Sequence, residues 1–126
     1  MPWLAWLVIT GLVTGLTAGT DVVGVVRDGK GRPVFQARVS LMRVDDVPPE
    51  TPGGKPSKTL VELDTMRTDR VGAFRFDRVS NGRYQLLTAS GREWLMAEGL
   101  VLDGAPIASI VLVLDGKTRL VSIGKQ

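Results

Sequence analysis

Residues 68–84, TDRVGAFRFDRVSNGRY, constrain the fold more than any other part of this chain. A polar turn, Thr68-Asp69-Arg70-Val71-Gly72, leads into Ala73-Phe74-Arg75-Phe76-Asp77, where the phenylalanines fall on one face and the charges on the other. Alternation with a period of two marks a strand with one side buried. Asn81-Gly82 supplies a second turn. Tyr84 then opens another run, whose Tyr84, Leu86 and Thr88 share a face with the phenylalanines. An Asn-Gly dipeptide between two alternating runs predicts a β-hairpin.

The rest of the chain after residue 20 has the same texture. Residues 21–27 are apolar on both sides, with Val22 and Val26 on one and Val23 and Val25 on the other. The segment 28–33, Asp-Gly-Lys-Gly-Arg-Pro, is dense turn chemistry. Ala37, Val39 and Leu41 then alternate with Arg38, Ser40 and Met42. Residues 45–58 hold four of the chain's seven prolines and a Gly53-Gly54 pair without apolar periodicity, which predicts a long exposed loop. Further strands are expected over 59–67, 83–89, 94–102 and 107–114, separated by turn residues at 90–92 and 103–106. No stretch in this part carries a helical period. About seven short strands spaced by turns imply an all-β fold, a seven-stranded antiparallel Greek-key β-sandwich. Its expected core includes Val39, Leu41, Phe74, Phe76, Tyr84 and Leu112.

The first nineteen residues carry no charged side chain, and their apolar run at 3–16 is shorter than the roughly 20 residues of a comfortable membrane span. Small residues follow at Thr17, Ala18 and Gly19. That order predicts a secretory signal over 1–19, with an uncleaved anchor as the alternative. The domain is expected over 20–115. The remainder, 116–126, forms a tail that either ends the chain or adds an edge strand.

Composition narrows the chemistry. The chain contains neither Cys nor His, which removes disulfides, thiolate and imidazole metal ligands, a Cys nucleophile and the usual neutral-pH base. A lipid-modified cysteine is excluded for the same reason. The serines have no general base to activate them. No catalytic residue, cofactor site or metal site is therefore expected. Turn aspartates such as Asp28 and Asp69 are read as hydrogen-bonding their own backbone. The net charge is +3, but basic and acidic residues interleave, as in Arg75-Asp77-Arg78, so no nucleic-acid footprint is expected.

Three ordered segments carry a resemblance to a known family. They are 24–41 (GVVRDGKGRPVFQARVSL), 68–76 (TDRVGAFRF) and 79–86 (VSNGRYQL). Together they resemble the carboxypeptidase regulatory-like domain, a transthyretin-like β-sandwich related to collagen-adhesin B-type domains. The resemblance implies a structural role for Gly72, Phe74, Phe76 and Tyr84, and a non-catalytic accessory module in exported or surface proteins. A transthyretin-like hydrolase acting on a purine-derived ring depends on His, so that activity is not implied here. The Lys–Asn isopeptide bond of adhesin domains has only Asn81, in a turn, to draw on.

Two candidate binding features remain. Residues 107–114 are apolar on both faces, leaving Ile107, Val111 and Val113 as a face for an unidentified protein or envelope partner unless the tail covers it. Trp94, with Arg92 or Tyr84, is the candidate platform for a glycan. Membrane contact is expected only through an uncleaved N-terminal segment.

Overall fold

The computed structural model describes residues 19–115 and the backbone of residues 123–125. The signal reading of residues 1–19, Gly19 apart, lies outside the described residues, as does most of the tail. The described chain forms strands β1 (Thr20–Asp28), β2 (Arg38–Val47), β3 (Ser57–Arg67), β4 (Ala73–Val79), β5 (Gly82–Ser90), β6 (Glu93–Leu102), β7 (Ile107–Leu114) and β8 (Ile123–Lys125). These make two four-stranded sheets in the orders β4-β1-β7-β8 and β3-β2-β5-β6. The seven expected strands are present, and β8 adds an edge strand to the first sheet by pairing antiparallel with β7 through Ile110↔Ile123.

The core lies between the sheets. Val22 and Val26 of β1, Phe74 and Phe76 of β4, and Leu112 of β7 meet Val39, Leu41, Tyr84 and Leu86 of the second sheet. All of these are buried, and the phenylalanine rings lie 6.0 Å apart at a 54° tilt. Each such side chain contributes roughly 1.5–3 kcal/mol when fully withdrawn from water.

The predicted hairpin at Asn81-Gly82 does not form. β4 belongs to the first sheet and β5 to the second, so Ser80-Asn81 arches from one layer to the other. β4 pairs with β1 instead (Val22↔Phe76, Gly24↔Phe74), and β5 lies between β2 and β6. The physical reason is burial from both directions. An arch sets the apolar row Phe74, Phe76, Val79 across the core from Tyr84 and Leu86, whereas a hairpin would set them side by side on one sheet.

The expectation of a wholly antiparallel sandwich is also corrected. β1 and β7 run parallel, from Asp21↔Ile107 to Asp28↔Leu114. No turn joins these two strands, so no hairpin dictates their direction. β6 finishes beside the start of β5 (Gly82↔Leu102), and residues 103–106 cross the same end of the sandwich into β7. Since β1 also begins at that end, both strands leave it together.

The long loop predicted over 45–58 shrinks to 48–56. The ladder Asp45↔Thr59, Asp46↔Lys58, Val47↔Ser57 extends β2 and β3 past the point, Arg43↔Tyr84, where β2 last pairs with β5. Backbone bonds can extend a ribbon without an apolar side-chain row, which is why composition hid it. Asp46 ties the ribbon to β5 through a 2.6 Å bridge to Arg83, while Arg43 and Asp45, both on β2, form a bidentate pair along the strand (2.8 and 3.0 Å).

Candidate functional site

The turns that close the sandwich are built by their own aspartates. Asp69 Oδ1 accepts from the amides of Val71 (3.0 Å) and Ala73 (2.9 Å). Asp28 Oδ1 accepts from those of Lys30 (2.9 Å) and Arg32 (3.0 Å). The amide of Arg32 is the main influence holding the Asp28 carboxyl below its ordinary range, aided by the amide of Lys30 and the Arg32 guanidinium. Gly72 sits at φ +77°, and a Cβ there would stand 2.5 Å from the Val26 carbonyl oxygen. The Asp69 turn therefore needs glycine twice over, for its conformation and for its clearance. Among the described residues no group of three His, Cys, Asp or Glu side chains comes together as a cation site. Asp45, Asp46 and Asp77 are engaged instead by Arg43, Arg83 and Arg75.

The outer face of the first sheet is one of two candidate binding faces. Strand alternation turns Ile107, Ser109, Val111 and Val113 away from the core, beside Val23 and Val25 of β1 and Ala73 and Arg75 of β4. Val111 is 47% exposed and Ile107 40%, while Val113, Val23 and Val25 are half-buried. An open depression of about 650 Å³ lies here, floored by Val23, Val25, Ala73 and Val111, with Met66 from the edge of the second sheet at its side. Arg75 stands at the rim, bridged to Asp21 at 2.8 Å and to Asp77. The hydrogen bond and charge of Asp77, then the charge of Asp21, hold its guanidinium more firmly protonated. Of the expected partner face, Val111 lines the depression; Ile107 and Val113 lie outside its lining. Val23, Val25, Ala73 and Met66 were not singled out from sequence. The second apolar row of residues 21–27 was the available signal for the two valines.

The second face belongs to the other sheet. Trp94, opposite Ala89, lies on the edge strand β6 and is 51% exposed. Met96 follows it on the same side, opposite Leu87, and both are half-buried. Arg92 is exposed in the two-residue turn Gly91-Arg92 between β5 and β6. Tyr84 cannot join Trp94 in a platform, which corrects that pairing. Its ring points to the opposite side of the sheet and is 1% exposed, and its hydroxyl donates to the Ser80 carbonyl at 2.7 Å. The aromatic body fills the core while the polar tip satisfies the arch.

Comparison with known proteins locates the fold. No family model matches the chain, and no curated protein matches it. Among solved structures, (S)-allantoin synthase superposes with a TM-score of 0.55 at 15% identity, over 87% of this chain and 44% of that one. This chain thus spans less than half the length of that protein, and the likeness shows a shared fold alone. Transthyretin from Sparus aurata aligns at TM-score 0.48 and 13% identity, over 83% of this chain and 93% of its own. The dioxygenase domain of a dioxygenase carbohydrate-binding protein fusion from Streptomyces sp. SirexAA-E aligns at 0.44 and 15%, over 80% and 83%. What the chain is, on these grounds, is a two-sheet β-sandwich.

Proposed function

We propose that this chain is an exported, non-catalytic binding module that associates with another protein of the cell envelope through the outer face of its first sheet. The observation that carries this reading is the depression of about 650 Å³ floored by Val23, Val25, Ala73 and Val111 on a sheet face that ordinarily would be polar. The uncharged residues 1–19 support export. The three motif segments support the finer assignment to the carboxypeptidase regulatory-like, transthyretin-like group, whose members serve mostly as accessory modules. The absence of Cys and His and the engagement of the strand aspartates in ion pairs support a role without catalysis.

The test is co-purification from envelope fractions with the wild-type chain and with Val111→Asp, at a position 47% exposed where a charge leaves the core intact. A partner held by wild type and lost from the variant, with unchanged thermal unfolding, supports the reading. Equal recovery of the partner by both proteins would remove this face from consideration.

A second reading rests on Trp94, whose half-exposed ring on the outer face of the second sheet offers an aromatic surface on which a sugar ring could stack. Glycan-array binding that disappears in Trp94→Ala but survives Val111→Asp would favour it.

A further inference from the structure

The junction between the leader and the domain has no slack. Thr20, the first residue of β1, is fully buried, and its hydroxyl donates to the Ala105 carbonyl at 2.5 Å. The amide of Asp21 donates to the Pro106 carbonyl at 3.0 Å. The Asp21 carboxylate accepts from the Arg78 amide at 3.0 Å and from the Arg75 guanidinium at 2.8 Å. On the other side of the bond, the backbone of Gly19 is pressed against Arg78, so that a Cβ there would stand 2.6 Å from its carbonyl carbon. β1 is an interior strand, with β4 on one edge and β7 on the other.

Resting on the export reading above, we infer that the Gly19–Thr20 bond is the processing site and that it can be cut only before the domain folds. Thr17 and Gly19 place small residues three and one positions before this bond, the pattern a leader peptidase requires. A peptidase must draw several residues on both sides of the bond into its cleft in extended form. Here the residues after the bond are the buried, doubly hydrogen-bonded start of a central strand. Freeing them means breaking the Thr20 and Asp21 contacts at the head of an interior strand, an opening that costs far more than the fraying of an exposed terminus. Folding and cleavage therefore compete. A chain cut first is released as a free domain beginning at Thr20. A chain folded first keeps its leader, with only residues 17–19, at most about 10 Å of chain, between the apolar run and the sandwich.

The experiment presents the full chain, in detergent micelles, to a purified leader peptidase and reads intact mass and N-terminal sequence. Three proteins are compared: wild type folded beforehand, Leu112→Asp to keep the chain unfolded, and a folded variant with a short Gly-Ser linker inserted between Gly19 and Thr20. Near-ultraviolet circular dichroism establishes which are folded. The expected result is cutting after Gly19 in the unfolded and linker proteins, with folded wild type cut at least about a hundredfold more slowly. Rapid cutting of folded wild type overturns the inference and leaves the export reading standing. Resistance of the folded linker variant also overturns it, because protection would then not come from the buried junction. If none of the three is cut, the Gly19–Thr20 bond is no processing site and the inference fails, while export by an uncleaved anchor still stands.

Discussion

The ring of Phe74 lies across Gly24. The two residues are direct partners in the β1–β4 ladder, and a Cβ built on Gly24 would stand 2.5 Å from the ring's Cζ and 2.4 Å from the Ile110 carbonyl oxygen. The central strand thus gives up a side chain so that the neighbouring strand can lay an aromatic ring over its backbone.

Gly24→Ala is accordingly expected to destabilise the domain by about 2–3 kcal/mol, because the ring could shift but the β7 backbone could not. Urea unfolding measures it. A change within experimental error would show that the sheet adjusts freely at this point.

Tyr84→Phe removes the hydroxyl that donates to the Ser80 carbonyl while leaving the ring in the core. The expected loss is about 1–2 kcal/mol. Equal unfolding midpoints for the two proteins would deny the arch its anchoring bond.

Thr88 carries the opposite defect. It is fully buried, opposite Leu95 and Val39, and its hydroxyl has no hydrogen-bond partner. Thr88→Val keeps the branched shape and removes the stranded polar atom, so a gain of about 1 kcal/mol is expected. Differential scanning calorimetry reads it, and a lower melting temperature for the variant would contradict the assignment.

Acid should weaken the fold. The Asp28 carboxyl is held below its ordinary value of 3.8 chiefly by the Arg32 amide, Asp45 by its bond to Arg43, and Asp46 by its bond to Arg83. A carboxyl whose folded value is depressed stabilises the fold at pH above its unfolded value and loses that contribution as pH falls through the folded one. Urea midpoints are expected to hold level above about pH 5 and to fall below it. Because Asp46 is exposed and Asp28 and Asp45 are only half-buried, the decline should be shallow and reduced by salt. In Asp28→Asn the fall should be smaller than in wild type; an unchanged acid limb would exclude Asp28 as a contributor.

Trp94 and Tyr84 show how far the candidate faces could be read from residues alone. Both are aromatic residues in alternating runs, and sequence could group them as one platform. Burial separates them, with Tyr84 at 1% and Trp94 at 51% exposure. The depression on the first sheet was half legible. Val111 followed from the doubly apolar run 107–114, but its neighbours Ala73 and Met66 come from a strand and a sheet that no local pattern joins to it.

The sequence by itself determined where most of the strands run, which residues β1, β2, β4 and β5 turn inward, and where Gly72 and Asp69 bend the chain. A period of two and the demands of turn geometry are local, and they are written residue by residue. Only the tertiary structure decided who pairs with whom: β4 with β1 across from β5, and β1 parallel to β7. Backbone ladders are chemically alike for every strand. The choice among partners falls to the arrangement that buries all the inward rows at once, and that is a property of the whole chain.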